Sequence, residues 1–391
     1  VTSVVTGGPR VESAAGVRRI LVLRTSALGD TVLATPALRA LRERFADAEI
    51  HFVTHAAFVR LFDELPFVTR TWAYEPKGRH RGAAGLLSLA AALRHAGPFD
   101  LAIDLQNKLA TRALVGLARP RSTLRFVKRR GVAAIAASIV GEGPILDDLP
   151  AAALYLDALR PLGIERERCS LAPEVALDSR AETEAELVVA AARGAPIAAL
   201  APGGRWALKQ WDPRRFAEVG DALAESGARI VLVGGPGDRR ELDAVAAFLS
   251  APPLAETSAL DVPALTAVIG RSSVLVTADS APSHLAQAVG TPVVAVFGPT
   301  SRRRWGPLPD AGAAIALPIG CAPCTNHGKR PCRLGHRACL DQLPAKPVIA
   351  AALAALRAGR KNGGKAAAEA SSGEIVDLAM HVARSRLAIV S

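Results

Sequence analysis

Four short apolar runs in the second half of the chain, PIAALAPGG, RIVLVGGPGD, SVLVTADSAPSH and PVVAVFGPT, each stop at a cluster of Gly, Ser, Asp or Pro. Between them lie PRRFAEVGDALAES, RELDAVAAFLS, VPALTAVIG and PSHLAQAVG, which carry helical periodicity; Pro213 and Pro282 stand at expected first helical turns and Gly290 closes the last helix. Runs this short cannot bury themselves singly, and strands alternating with helices are satisfied by parallel βαβ units. The first half repeats the pattern less clearly. RRILVLR, EIHFVTH and FDLAIDLQ read as strands, and 31–44 reads as one helix with Leu33, Ala37, Ala40 and Leu41 on a single face.

The chain has 391 residues, too many for one core of ordinary size. We expect an α/β protein of two facing doubly wound domains with a cleft: a tail over 1–18, an acceptor domain over 19–175, a donor domain over 176–358, and a flexible tail over 359–391 holding a final helix, EIVDLAMHVARSRLAIV. No apolar run reaches the roughly 18–20 residues of a membrane-spanning helix, and the first 18 residues lack the pattern of a signal peptide. A cytoplasmic protein is the expectation.

The net charge of +12 suits an anionic partner. Of the 48 basic residues 40 are Arg, so part of that charge reflects composition, although KGRHR (77–81), RFVKRR (125–130) and SRRR (301–304) are dense clusters. Aromatic residues make up only 4%, which leaves few stacking platforms, and no helix-turn-helix, RRM or finger signature is present; nucleic acid is not expected as a partner.

In open parallel sheets ligands bind beyond the carboxyl ends of the strands, so the loops there are the candidate site. The usual dinucleotide and P-loop fingerprints are missing. In TADSAPSHLAQAVG, Ser280 stands where an N-cap belongs, and the backbone of Ala281 and Ser283, with His284, faces the strand-end crevice as an anion site; the bland reading is a capped helix with a packed histidine. Gly203 and Gly204 permit close backbone approach and Lys209 follows as a mobile cation for a diphosphate, or as a solvated loop lysine. Asp238 is either a ribose acceptor or a helix-starting residue. Asp30, in LRTSALGD, is either a cap or a residue that does chemistry at the mouth of the first strand. Cys321, Cys324, Cys332 and Cys339 read C-x2-C-x7-C-x6-C, a spacing open to structural zinc or to a buried thiol cluster, while disulfides do not suit a reducing compartment.

Taken together, ILVLRTSALGDTVLATPALRAL, APGGRWALKQWDPRRFAEV, GGPGDRREL and TADSAPSHLAQAVGTPVVAVFGPT resemble glycosyltransferase family 9, the ADP-heptose:lipopolysaccharide heptosyltransferases, over residues 18–355; the cysteine segment is similar to the tail of the heptosyltransferase II branch. The resemblance implies a GT-B fold and an inverting transfer from ADP-heptose to a lipopolysaccharide core or related glycolipid, with no metal and no cofactor. It implies Asp30 as general base, Lys209 on the donor diphosphate, and Asp279, Ser280 and His284 around the donor sugar and phosphates, with Asp238 a further donor contact. Where relatives of the heptosyltransferase I type carry a basic residue after the D-x-Q strand, this chain has Ala110, so Lys108, Arg112 and Arg125 are the expected acceptor contacts. A monomer working at the inner face of the cytoplasmic membrane is implied as well.

Overall fold

The computed structural model describes residues 16–126 and 149–361. The expected N-terminal tail up to residue 15, the basic run beyond Phe126 and the helix expected in the last residues lie outside the described residues. Two compact units divide between Ser179 and Arg180.

The first unit is a five-stranded parallel sheet in the order β3-β2-β1-β4-β5, with β1 Arg19–Leu23, β2 Glu49–His55, β3 Arg70–Tyr74, β4 Leu101–Asp104 and β5 Ser122–Arg125. Ile20, Leu21, Val22 and Leu23 of β1 are wholly buried, as befits a strand covered by helices on both faces. The register sets Leu23 beside Val53 of β2 and Asp104 of β4, so β1 and β4 end at one level and β2 runs two residues further.

The second unit is a six-stranded parallel sheet in the order β11-β10-β9-β6-β7-β8, with β6 Ile197–Ala201, β7 Arg229–Leu232, β8 Ala255–Glu256, β9 Val274–Ala278, β10 Val293–Val296 and β11 Gly312–Ile315. Its core joins Leu200, Leu232 and Val276 to Phe216 and Val219 of the helix Pro213–Glu225 and to Val348 and Leu356 of the helix Ala345–Lys361. Asp212 and Asp261 start their helices by accepting the amides of Arg214 (2.9 Å) and Ala264 (3.0 Å).

Three expectations change. The helix expected over 31–44 is two helices, Leu28–Val32 and Thr35–Arg44, because Pro36 in the opening turn of the second has no N–H to continue the ladder from the first. The boundary expected between 358 and 359 falls inside a helix, Ala345–Lys361, which continues through Gly359, since one glycine costs an alanine-rich helix only about 1 kcal/mol. The second unit has six strands, not four. Its two additional strands, β8 and β11, are edge strands, and an edge strand is covered less completely than a central one. Among the described residues no helix is long and apolar enough to cross a membrane.

Candidate active site

In each sheet the first strand in sequence lies centrally, and the chain leaves it toward one edge before returning to build the other half. The loops on either side of that reversal open a crevice, which in the first sheet falls at the ends of β1 and β4 and in the second at the ends of β6 and β9.

At the end of β1, Arg24 is 3% exposed and donates through Nη1 to the Leu105 carbonyl just after β4 (2.7 Å). Its Nη2 pairs with Asp30 Oδ1 at 2.8 Å, and its guanidinium lies 5.1 Å from the Tyr155 ring centre, in cation–π range. The Tyr155 hydroxyl donates to the same Asp30 oxygen (2.7 Å). The cap reading of Asp30 fails on position: Ala27 is the N-cap of Leu28–Val32, and Asp30 lies inside that helix with its carboxylate held by Arg24 and Tyr155. Gln106 Oε1 accepts the amides of Thr25 (3.3 Å) and Ser26 (3.2 Å) and its Nε2 donates to Ser26 Oγ (3.0 Å), tying the two loops together. Asp104 is fully buried and anchors the second loop by accepting from the amides of Gln106 and Asn107 and from Thr111 Oγ1. Burial pushes its carboxyl above the ordinary range, against the pull of those donors.

The expected acceptor contacts fall beside this cluster. Lys108 precedes the helix Leu109–Ala118 as its N-cap and reaches Ser26 Oγ with Nζ (3.4 Å). Arg112 donates to Asn107 Oδ1 (2.7 Å), and Arg125 ends β5 level with Asp104. The KGRHR cluster is partly spent on structure: Arg79 pairs with Glu75 (2.7 Å) and His80 is buried, stacked on Tyr74.

In the second unit the loops after β6 and β9 are joined by one ion pair, Lys209 Nζ to Asp279 Oδ2 at 2.7 Å, with side-chain exposures of 13% and 5%. Thr300, after β10, donates its hydroxyl to the same oxygen. The helix Ala281–Ala288 starts beside Asp279 with Pro282 as its second residue rather than its first. Ser280 occupies the N-cap position without capping; its hydroxyl lies near Thr277 Oγ1 and the Ala278 carbonyl instead. The first-turn amides therefore receive no side-chain cap, and Ser283 Oγ, 1% exposed, has no hydrogen-bond partner. His284 is buried in the same turn. An unfilled helix start next to a lysine attracts anions through its amides and the helix dipole.

Asp238, the candidate ribose acceptor, has partners within its own unit. It accepts the Gly235 amide (3.0 Å), and a Cβ placed on Gly203 would come within 2.6 Å of its Cγ, so it wedges the loop after β7 against the loop after β6. Burial raises its carboxyl above the ordinary range. Gly204 offers its carbonyl to Gln210 Nε2 (3.2 Å).

The sequence reading missed Arg24, Tyr155 and Thr300. Arg24 had a signal, as the first charged residue after the apolar run Ile20–Leu23; Thr300 ends the quoted FGPT turn; Tyr155, 125 residues from Asp30, had none.

The glycosyltransferase family 9 (heptosyltransferase) model matches residues 86–334, more than half of the chain. Lipopolysaccharide heptosyltransferase 3 of Escherichia coli K12 is 28% identical over 334 residues, covering 83% of this chain and 94% of that protein. Two solved structures share the fold: a family 9 glycosyl transferase from Veillonella parvula (TM-score 0.75, 23% identity, 87% of this chain and 98% of that one) and the ADP-heptose heptosyltransferase II of E. coli (TM-score 0.68, 20% identity, 88% and 99%).

Proposed function

Because this chain belongs to glycosyltransferase family 9, the heptosyltransferases, and is thus a glycosyltransferase with the α/β GT-B fold, we propose that it transfers a heptose from ADP-heptose to a lipopolysaccharide core or related anionic surface glycolipid. The second unit takes the donor and the first takes the acceptor. The observation that carries this reading is the Lys209–Asp279 pair beside an uncapped helix start: an internal carboxylate holds the lysine at the strand-end crevice where a diphosphate belongs.

On donor binding Lys209 passes from Asp279 to the diphosphate, whose second anionic contact is the first turn of Ala281–Ala288, with Ser283 and His284 in reach. These groups stabilise the charge that grows on the departing nucleotide. The acceptor hydroxyl attacks the anomeric carbon from the face opposite the diphosphate, so the bond to the leaving oxygen breaks with inversion. Asp30 receives the hydroxyl proton. A carboxylate is a weak base toward an alcohol, so the proton moves late, when the forming bond has made the hydroxyl acidic. Lys108, Arg112 and Arg125 meet anionic groups of the acceptor. Such an acceptor is lipid-linked, which sets the reaction at the inner face of the cytoplasmic membrane.

Thermal unfolding with ADP-heptose, UDP-sugars and GDP-sugars tests the donor: ligand at 100 times its Kd adds about 2.7 kcal/mol, and only ADP-heptose should do so. A shift with another nucleotide sugar and none with ADP-heptose overturns the donor assignment. Asp30→Ala should keep the ADP-heptose shift and lose transfer; transfer at the parent rate removes Asp30 from the chemistry.

A further inference from the structure

The helices Gly82–His95 and Leu109–Ala118 lie side by side on one face of the first sheet, sharing a core with β1 through Leu89, Leu93, Leu114 and Val115. Their outer faces differ from those of ordinary surface helices, which turn charge toward water. Gly82–His95 has no charged side chain before Arg94, and Ala83, Ala84, Leu87, Ala91 and Ala92 are exposed. Leu109, the first residue of its helix, is 85% exposed and Leu87 is 53% exposed. Among the described residues of the first unit, these two are the large apolar side chains left in water.

The charge around this face has one sign. Residues 76–126 hold nine Lys and Arg against two Asp, and both Asp are spent. Asp104 is buried, and Asp100 pairs with Arg121 and accepts the amides of Arg18 and Arg19. Lys77 and Arg81 stand exposed in the loop before Gly82–His95. That loop is fixed against the helix: a Cβ on Gly85 would collide with the His80 backbone, and His80 Nδ1 accepts the Glu75 amide (3.0 Å). A helix that follows a strand of a parallel sheet begins at that strand's carboxyl end. Lys77, Arg81, Lys108 and Arg112 are therefore gathered at the edge where the crevice of the first unit opens.

The occupant of such a face has to accept apolar side chains and cations together. A second copy does not fit, because an isologous contact sets the cations against their own image. An anionic phospholipid surface fits, with phosphates for the cations and the acyl boundary for the leucines. We infer that this face docks the chain on an anionic bilayer, Leu87 and Leu109 entering the interface while Lys77, Arg81, Lys108 and Arg112 lie on the headgroups. The purpose of the docking rests on the proposed transfer: it holds the crevice of the first unit against the layer in which a lipid-linked acceptor is embedded.

Flotation of the full chain with vesicles tests this, one batch of phosphatidylcholine alone and one carrying about 30% phosphatidylglycerol, which gives an anionic surface. Binding to the anionic vesicles should be at least about tenfold tighter than to the neutral ones. Most of it should vanish when salt rises from about 0.1 to 1 M, as the screening length falls from about 10 to 3 Å. Leu87→Ser with Leu109→Ser should weaken binding about tenfold. Lys77→Gln with Arg81→Gln should weaken it about 25-fold, each basic residue near such a surface counting for about a factor of five. Leu187→Ser and the pair Arg229→Gln with Arg240→Gln, exposed in the second unit, should each change it by less than about twofold. All the substituted side chains are exposed, so unfolding temperatures should stay at the parent value. Equal binding to both kinds of vesicle, or equal losses in the second-unit variants, overturns the docking face. So does a concentration-dependent dimer in light scattering that Leu87→Ser with Leu109→Ser dissolves without changing vesicle binding, which would give the face to a second copy. Vesicle binding needs neither donor nor acceptor, so it can fail while the proposed transfer stands, and transfer to a lipid-free acceptor can fail while binding stands.

Discussion

Lys209→Met removes the cation that faces Asp279 while keeping most of the stem that packs against Gly328. At 2.7 Å, with an effective dielectric constant of 20, the gross attraction of the pair is about 6 kcal/mol, most of it offset by the desolvation of two charges. Removing one partner restores none of that desolvation, and buried pairs broken this way typically lose 3–5 kcal/mol. Thr300 still donates to Asp279, so the lower end, about 3 kcal/mol, is expected. Urea unfolding followed by tryptophan fluorescence measures this, because Trp206 and Trp211 both lie in the same unit and Trp211 is buried. Asp279→Asn keeps an acceptor for Thr300 without the charge. In the double variant the unpaired carboxylate is gone, so most of the loss should return and the coupling between the two sites should reach about 2 kcal/mol. A loss below about 1 kcal/mol in Lys209→Met, with no coupling, would place the pair among ordinary surface ion pairs and refute the view that Asp279 is held in wait by the lysine.

Other outcomes follow from the same geometry. Tyr155→Phe deletes one of the donors on Asp30 and should lower kcat about tenfold with the KM of both substrates nearly unchanged, whereas an equal rise in both KM values would make Tyr155 a substrate contact. Gly203→Ala brings a methyl group within 2.6 Å of Asp238 Cγ and should destabilise the second unit by about 1–3 kcal/mol; a neutral result in chemical denaturation would show that the two loops part freely. Asp238 has its carboxyl pKa raised by burial, so the native state binds the more protons, and its contribution to stability declines as pH rises from about 3.9 through the raised native value. Asp238→Asn should therefore gain stability relative to the parent across that window, and a parent that gains on the variant with rising pH contradicts the burial argument.

How much of this was legible in the chain depends on whether the deciding contacts are local. Strands β1, β6, β9 and β10 announce themselves because a parallel strand buried on both faces needs an unbroken apolar run. Strands β3, β5, β8 and β11 do not, because an edge strand is covered less completely and RTWAY or STLR carries no such run. Lys209, Asp279 and the start of Ala281–Ala288 were visible as residues at strand ends, where the architecture itself directs ligands. Their pairing was not visible, since 70 positions separate Lys209 from Asp279 and only the return of the chain from β8 to β9 brings them together.

The amino-acid order alone determined that this chain builds parallel α/β sheets and where their crevices open, and it marked some of the charged residues there, because hydrophobic period, proline and glycine act within a few residues. Tertiary structure decided what those residues do before a substrate arrives. Asp30 is wired to Arg24 and Tyr155 rather than capping a helix, Asp238 wedges two loops, and four cysteines spread over 19 positions face one small cavity. Each of these depends on distances closed by the fold, and a side chain's partner is chosen by packing that no local pattern encodes.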